Sequence, residues 1–258
     1  MTLQHPAYGL LRPVTDSASV LLCDNPGLMT LEGTNTWVLR GPGSDEMVVV
    51  DPGPEDDEHI ARIAELGSIP LVLISHRHED HTGAIDKIVD RTGAVVRAVG
   101  SGFLRGLGGP LTDGEVIDAA GLRITVMATP GHTVDSVSFV LDDAVLTADT
   151  VLGRGTTVID KEDGSLSQYL DSLQRLRGLG HRTVLPGHGP ELDDLEEVSA
   201  GYLAHRRERL EQVRAALRVL GDDATVRQVV EHVYTDVDEK LWDVAEWSVQ
   251  AQLDYLRA

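Results

Sequence analysis

Cysteine and aromatic residues are scarce in this chain of 258 residues. Cys23 is the only cysteine, so no internal disulfide can form and a reducing compartment is the natural expectation. A lone cysteine also argues against a structural zinc site, because such sites are usually closed sets rich in cysteine. Aromatic residues make up 4% of the chain, which leaves no evident platform for stacking the bases of a single-stranded nucleic acid.

Basic residues and long apolar runs are also in short supply. The chain has 22 lysines and arginines against 42 aspartates and glutamates, and its net charge of −20 discourages binding to duplex DNA and to anionic membranes. No window approaches the roughly 18 apolar residues that a membrane span needs. The N-terminal residues lack the patterns of a signal or transit peptide. We therefore expect a soluble, cytoplasmic protein.

Hydrophobic residues make up 41% of the chain, which suits one sizeable α/β domain with a small appendage. Apolar runs closed by proline or glycine predict strands, and apolar residues at helical spacing predict helices between them, with Thr82 starting one of these helices. This order favours two sheets with helices outside. The predicted strands are 19–24, 35–41, 46–53, 70–75, 94–100, 114–119, 121–131, 136–143, 144–150 and 182–189, and the helices are 56–67, 82–93 and 166–180.

The sequence pattern changes near residue 200, beyond which only helices are predicted. Helical periodicity predicts helices over 204–221, 225–234 and 238–257. Thr225 and Gln228 form a capping-box signal at the start of the second of these helices. We therefore divide the chain into a main domain, 1–199, and a three-helix C-terminal subdomain, 200–258.

The segment "SHRHEDHTG" (75–83) crowds three histidines and an aspartate into six positions. His76 and His78 lie two residues apart just beyond a strand, so their side chains can point the same way. Asp80 and His81 continue from there into the start of a helix. A metal that activates water needs nitrogen and oxygen ligands of this kind, held on rigid elements.

Three further candidate ligands each follow the end of a predicted strand. They are His132 in "ATPGHT", Asp149 in "LTADT" and His188 in "LPGHGP". The ends of strands are where functional residues of α/β proteins gather. The other histidines, 5, 59, 181, 205 and 232, are interpreted as ordinary surface or core residues.

Seven ligands are too many for one tetrahedral zinc ion but suit two divalent ions that share a carboxylate and a hydroxide. The nitrogen-rich set favours Zn²⁺, with Mn²⁺ or Fe²⁺ as alternatives. Two such ions lower the pKa of bound water from 15.7 towards about 7 and so supply a hydroxide nucleophile at neutral pH. His76, His78 and His132 are assigned to the first ion and Asp80, His81 and His188 to the second, with Asp149 bridging.

The pattern H-x-H-x-D-H, matched at residues 76–81, resembles the signature of the metallo-β-lactamase superfamily. The later ligands stand in the expected order. The resemblance implies an αββα sandwich, a hydrolase activity and a role for Asp51 as a hydrogen-bond acceptor behind a ligand imidazole, although Asp51 could equally be a turn former. Thr82 and Ser136 are interpreted as helix caps or as donors behind the ligands.

A larger part of the chain is similar to one subgroup, the β-lactamase-like protein 2 group, in which an endoribonuclease is known. The similar segments are "NPGLMTLEGTNTWVL" (25–39), "GRGTTVI" (153–159) and "YLAHRRERLEQV" (202–213), the last of which starts a winged-helix-like tail. The strands of a wing are missing from the chain. His78 stands where flavo-diiron relatives carry glutamate, which argues against oxygen or nitric oxide reduction.

The substrate stays open between three hypotheses. The first is cleavage of single-stranded RNA, with five arginines of the first tail helix meeting phosphates, although residues 196–258 hold 8 basic and 13 acidic side chains. The second is hydrolysis of a thioester, lactone or other small acyl compound, as in glyoxalase II-like relatives, and the third is a non-catalytic metal-binding scaffold. The five arginines are Arg206, Arg207, Arg209, Arg214 and Arg218.

Asp80 is our candidate proton acceptor. The stretches 27–36 and 153–157 are expected to line the substrate cleft. Either a monomer or a homodimer is compatible with the sequence.

Overall fold

Two mixed β-sheets packed face to face form the body of the protein in the computed structural model, which describes residues 3–235 and 242–257. The first sheet has the order β1-β2-β3-β4-β5-β6 and the second the order β11-β10-β9-β8-β7. The ten strands predicted from apolar runs correspond to β2 to β11, with shifted bounds, and β1 is additional. The strands are β1 (Arg12–Pro13), β2 (Ala18–Leu22), β3 (Asn35–Leu39), β4 (Glu46–Val50), β5 (Ser68–Leu73), β6 (Val95–Arg97), β7 (Val116–Ala119), β8 (Leu122–Ala128), β9 (Val137–Val140), β10 (Ala144–Ala148) and β11 (Thr183–Pro186).

Helices cover the outer face of each sheet. On the first sheet, α1 (Asp57–Ala64) and α3 (Ile85–Thr92) bury their apolar sides against the strands. On the second, α4 (Leu166–Arg177) and the first half of α5 (Leu195–Leu220) do the same. A short α2 (Glu79–Thr82) lies between β5 and α3. This arrangement confirms the expected αββα sandwich.

The layer between the two sheets is the main apolar core. Phe139 and Trp37 are buried there, and the indole Nε1 of Trp37 donates a hydrogen bond of 2.9 Å to the carbonyl oxygen of Pro186 in the opposite sheet. Because helices cover the other faces, every residue of β3 and of β10 is buried. Their sequences, NTWVL and AVLTA, therefore lack the alternation of apolar and polar residues that a half-exposed strand shows.

Parallel strand pairs bring the candidate ligands to one edge of the sandwich. β4 is parallel to β5, and β10 is parallel to β11, so Asp51 and His76 leave the first sheet at the same end, as Asp149 and His188 leave the second. β8 runs in the direction of β10 because both are antiparallel to β9. The amide of Asn35 donates to the carbonyl oxygens of Pro186 and Gly189 and ties the two sheets together beside this edge.

The predicted helix over 82–93 is wrong at its start. The motif itself makes one helical turn, in which the backbone carbonyl of His78 accepts from the amides of His81 and Thr82. Thr82 is thus the last residue of α2 and not the cap of α3. Gly93 does end α3, with a positive φ of 69° that glycine adopts without strain.

The first helix of the C-terminal part is longer than predicted. It begins at Leu195 rather than at residue 204, and the carboxylate of Asp194 caps it by accepting from the amides of Glu196 and Glu197. α6 (Val226–Val233) has the predicted capping box. α7 is Trp242–Arg257, and residues 238–241 of the predicted third helix lie outside the described residues.

The helix α5 connects the two parts of the molecule. Leu203 and Leu210 pack in the apolar cluster on the second sheet, whereas Val213 and Ala216 pack with α6 and α7. α5 therefore crosses the boundary that we placed at residue 200, and this boundary stays a prediction. None of the described helices is long and apolar enough to cross a membrane.

His59 of α1 gives a testable pH dependence. It is buried, and its Nε2 lies 2.8 Å from the hydroxyl of Thr36, which donates its own proton to the carbonyl of Asp51. Burial lowers the pKa of His59 from 6.5 to about 4. The unfolded chain therefore binds a proton between these pH values that the folded protein does not, so stability falls as the pH drops through this window.

We expect the wild type to lose about 2 kcal/mol more stability than His59→Gln between pH 7 and pH 5, at 1.36 kcal/mol per pKa unit. Urea unfolding at a series of pH values measures this difference. Parallel pH profiles for the two proteins would contradict this expectation, because they would show that folding does not lower the pKa of His59.

Candidate metal centre

The seven candidate ligands converge at the edge where the strands end. They fall into two groups, and within each group the donor atoms all lie within 4.8 Å of one another. Asp149 falls in the first group by this criterion, although its carboxylate also lies 3.4 Å from Nε2 of His188 in the second. The groups are His76, His78, His132 and Asp149, and Asp80, His81 and His188.

Three imidazoles face one another in the first group. The Nδ1 atom of His78 lies 3.0 Å from Nε2 of His76 and 3.1 Å from Nε2 of His132. Two donors on one tetrahedral ion stand about 3.3 Å apart when the metal–nitrogen distance is about 2.0–2.1 Å. The spacing of these nitrogens thus fits a single bound cation.

In the second group, Nε2 of His188 lies 3.2 Å from Nε2 of His81 and 3.1 Å from Oδ2 of Asp80. Asp149 stands between the two groups. Its Oδ2 lies 3.4 Å from Nε2 of His188 and 3.8 Å from Nε2 of His132. One carboxylate is therefore within reach of both groups, which is the position of a bridging ligand.

Every imidazole has its outward nitrogen occupied. Since the partner is in each case an acceptor, or a hydroxyl that donates its own proton elsewhere, the outward nitrogen carries the hydrogen and the inward nitrogen keeps a lone pair. This is how proteins orient histidines that bind metal. The outward partners are the hydroxyl of Ser75 for His76 (3.0 Å), the carboxylate of Asp160 for His78 (3.0 Å), the carboxylate of Asp51 for His81 (2.9 Å), and the backbone carbonyls of Val158 for His132 (2.6 Å) and Gly33 for His188 (3.1 Å).

The donor set therefore fits a metal ion in its chemistry as well as its spacing. Five lone pairs point inward, and Oδ1 of Asp149 is buried with no hydrogen-bond partner among the described residues. A buried carboxylate oxygen without a partner is costly unless a cation lies beside it. The two groups are thus suited to binding a metal.

Asp51 links the two groups from behind. Its carboxylate accepts from Nδ1 of His81 and from both the amide and the hydroxyl of Ser75, which in turn accepts from His76. The backbone of Asp51 is left-handed, with φ of 53°, a conformation that non-glycine residues seldom adopt. Of the two roles considered for Asp51, this network agrees with that of an acceptor behind the ligands.

The hydroxyls of Thr82 and Ser136 contact backbone or other hydroxyl groups. Thr82 donates to the carbonyl of His78 over 3.0 Å, and Ser136 lies 2.7 Å from the hydroxyl of Thr133. Within the described residues, the hydrogen bonds of these two hydroxyls thus stabilise the loops that carry His78 and His132 and do not reach a ligand ring.

Sequence reasoning missed Asp160 and Ser75. Asp160 follows a loop with no helix or strand periodicity, and nothing in "VIDKEDG" marks it as a partner of a histidine 82 residues away. Ser75 carried a signal, since it directly precedes the motif at the end of a buried strand. Its hydroxyl could have been expected to face the same edge.

The open side of the centre is at His78 and Asp80. Their side chains are 26% and 27% exposed, whereas the other five ligands are buried. The two stretches expected to line the cleft are joined to each other, because Arg154 forms an ion pair with Glu32. His78 and Asp80 are therefore the two of the seven ligands that solvent reaches most easily.

Charge within the cluster is balanced by protons when no cation is present. Burial acts to lower the pKa of His188, but Asp149 outweighs it and the pKa rises to about 9. Burial keeps the pKa values of His76 and His132 below 6.5. Because a metal must displace the protons of its ligands, metal affinity should fall as the pH is lowered.

Residues 29–188 match the family model described as Metallo-beta-lactamase superfamily, and residues 225–258 match that of the Beta-lactamase associated winged helix domain. The chain belongs to the metallo-β-lactamase superfamily. It is 31% identical to the "Beta-lactamase-like protein 2 homolog" of Caenorhabditis elegans, over 88% of this chain and 79% of that protein. It is 32% identical to "Atrochrysone carboxyl ACP thioesterase dmxR1" of Cryptosporiopsis sp. (strain 8999), over 84% and 71%.

Solved structures share this fold. A beta-lactamase domain protein from Burkholderia ambifaria superposes with a TM-score of 0.83 at 19% identity, over 98% of this chain and 89% of that one. The protein TTHA1623 was solved in a di-iron-bound form; it has a TM-score of 0.56 at 22% identity, over 69% and 96%. The enzyme FIM-1 from Pseudomonas aeruginosa was solved in a mono-zinc form, with a TM-score of 0.57 at 19% identity, over 78% and 96%. The chain is thus a superfamily hydrolase by family and fold.

Gly187 offers a specific test of the centre. A methyl group at this position would overlap Oδ1 of Asp149 and lie 2.9 Å from Cε1 of His81, while the backbone there is one that alanine can adopt. Overpacking of this kind costs about 1–3 kcal/mol. We expect Gly187→Ala to fold and to lose metal affinity by at least about 10-fold, since 1.4 kcal/mol is a factor of ten.

Competition with a chelator measures this affinity. The matched control is Gly201→Ala on α5, where the added methyl group meets nothing within 4 Å. Wild-type metal affinity in Gly187→Ala would mean that metal does not bind between Asp149 and His81.

Proposed function

We propose that this protein is a dinuclear metal hydrolase that cleaves thioesters or related small acyl compounds, with Zn²⁺ as its metal. Nitrogen ligands dominate the centre, and imidazole suits zinc, with Mn²⁺ and Fe²⁺ as alternatives. His76, His78 and His132 would hold one ion, and Asp80, His81 and His188 the other. Asp149 would contact both, in agreement with its distances to His132 and His188.

The contacts of the α5 arginines carry the choice of an acyl substrate over RNA. The side chain of Arg206 is buried, and its guanidinium carbon lies 5.0 Å from the centre of the Tyr169 ring. Arg209 stacks on Tyr234, and Arg214 pairs with Glu211. Three of the five arginines proposed for phosphate binding are therefore engaged within the protein, and the surrounding helices are net acidic.

One named relative supports the same choice. The similarity to an acyl carrier protein thioesterase at 32% identity covers 84% of this chain. Thioester hydrolysis also needs no base-stacking surface. The scaffold hypothesis is disfavoured because all the outward nitrogens are bonded and the exposed side is left open at His78 and Asp80.

In thioester hydrolysis, water adds to the carbonyl carbon, the carbon–sulfur bond breaks, and a carboxylic acid and a thiol result. Bound divalent ions would supply an activated water at neutral pH and charge stabilisation for the carbonyl oxygen. Asp80 is placed to accept a proton and pass it to the departing sulfur, because its carboxylate is partly exposed at the open side. Burial acts to raise the pKa of Asp80, but His81 and His188 lower it overall, so the carboxylate is ionised at neutral pH.

We expect zinc-loaded protein to hydrolyse members of an acyl-thioester and lactone panel and to leave single-stranded RNA intact. His78→Ala and Asp149→Ala should each lower kcat/KM by at least about 100-fold, which corresponds to about 2.7 kcal/mol. The matched control is His232→Ala, an exposed histidine on α6. Release of thiol and gel analysis of labelled RNA provide the two readouts.

Cleavage of RNA by the wild type, lost in His78→Ala and Asp149→Ala, would contradict the acyl proposal in favour of the phosphodiester hypothesis. RNA cleavage that persists in both variants would come from a contaminating nuclease. No turnover of either class by the loaded wild type would leave the scaffold hypothesis in place.

A further inference from the structure

One short segment, residues 157–160, contacts the outward side of three ligands of the first group. The carbonyl oxygen of Val158 accepts from Nδ1 of His132, and the amide of Asp160 donates to the carbonyl of the same histidine over 2.9 Å. The hydroxyl of Thr157 donates to the backbone carbonyl of Asp149 over 2.7 Å. The segment thus forms the wall behind this group.

The segment's contact with the third ligand joins the carboxylate of Asp160 to His78. Oδ2 of Asp160 lies 3.0 Å from Nε2 of His78, whose other nitrogen faces the centre. His78 is the only imidazole of the first group that is partly exposed, so packing alone holds it less firmly than it holds His76 or His132. A carboxylate in this position fixes the ring and increases the basicity of the metal-binding nitrogen.

Asp160 is itself held in one orientation. Its Oδ1 accepts from Nη2 of Arg77 over 2.9 Å and from the amide of Glu162 over 2.7 Å, which leaves Oδ2 directed at His78. Arg77 also contacts Asp163 over 3.0 Å. Arg77 lies between His76 and His78 in the chain, so its contacts with Asp160 and Asp163 join the loop of residues 76–81 to the segment.

The C-terminal part of the molecule contacts this segment through α5. Arg206 of α5 donates through Nη2 to the carbonyl of Thr157, and its guanidinium lies over the ring of Tyr169. The hydroxyl of Tyr169 donates over 2.7 Å to the carbonyl of Thr150, next to Asp149. Arg206 forms no ion pair with a carboxylate among residues 3–235 and 242–257, so its buried charge is directed at backbone carbonyl groups.

We propose that Asp160 is a positioning residue for His78 and that Arg206 holds the 157–160 segment in the orientation this requires. Through this contact, α5 affects the metal affinity of the first group more than that of the second. This proposal rests on the proposed function only in assuming that the first group binds a metal ion.

The test is a zinc titration of the full-length protein against a chromophoric chelator, which gives the two binding constants without any substrate. Asp160→Ala should weaken one ion by about 10–100-fold, the range seen when the partner of a ligand is removed, and leave the other unchanged. Asp171→Ala is the matched control, because Asp171 is an exposed aspartate on α4, away from the segment and its contacts. Asp160→Asn keeps the shape and removes the charge, and should give a smaller loss.

A double-mutant cycle separates positioning from a general structural effect. In a His78→Ala background, Asp160→Ala should cause no further loss of affinity, whereas in a His188→Ala background it should weaken the remaining ion by the full factor. For the anchor, Arg206→Met should weaken the same ion, and Arg207→Met, its exposed neighbour on α5, should not.

Wild-type affinity for both ions in Asp160→Asn and Asp160→Ala would overturn the proposal. A loss in Asp160→Ala that persists in the His78→Ala background would overturn it as well, since Asp160 would then act on the fold at large. Absence of acyl hydrolysis, with these metal affinities as expected, would contradict the proposed substrate and leave the role of Asp160 intact.

Discussion

The structure depends on placing seven metal-binding side chains, most of them buried, next to one another at one edge of an apolar sandwich. Five inward lone pairs and two carboxylates in such a space repel one another unless positive charge lies between them. Burial opposes protonation of His81 and His188, but the neighbouring aspartates outweigh it and raise the pKa values of both histidines. A pair of divalent cations would supply positive charge at this place, and the donor atoms are already oriented to bind them.

Both halves of the fold are required to build this edge. The first sheet supplies Asp51 and the ligands of residues 76–81, and the second supplies Asp149 and His188. Neither sheet alone therefore holds a complete group. The helix α5 adds a third element, because Arg206 reaches the segment that lies behind the first group. The C-terminal part is thereby connected to the centre through backbone contacts rather than through a surface that faces substrate.

The sequence predicted the sandwich and the approximate positions of its strands, because buried runs such as 47–50 and 144–146 are continuously apolar. The meeting of the seven side chains at one edge also followed from their positions at strand ends. The outward partners could not be predicted in the same way. Asp160 meets His78 only because two loops distant in sequence fold against each other, and no local pattern encodes that meeting. Arg206 looked like a phosphate contact because helical periodicity alone does not show which face of α5 is covered.

The central claim is that two ions share Asp149. A crystal structure of the zinc-loaded protein, with anomalous diffraction recorded at the zinc absorption edge, tests it most directly. We expect two anomalous peaks about 3.5–4 Å apart, one among His76, His78 and His132 and one among Asp80, His81 and His188, with an Asp149 oxygen bound to each or shared by both. A single peak at full zinc loading, or two peaks with Asp149 bound to neither, would contradict the claim.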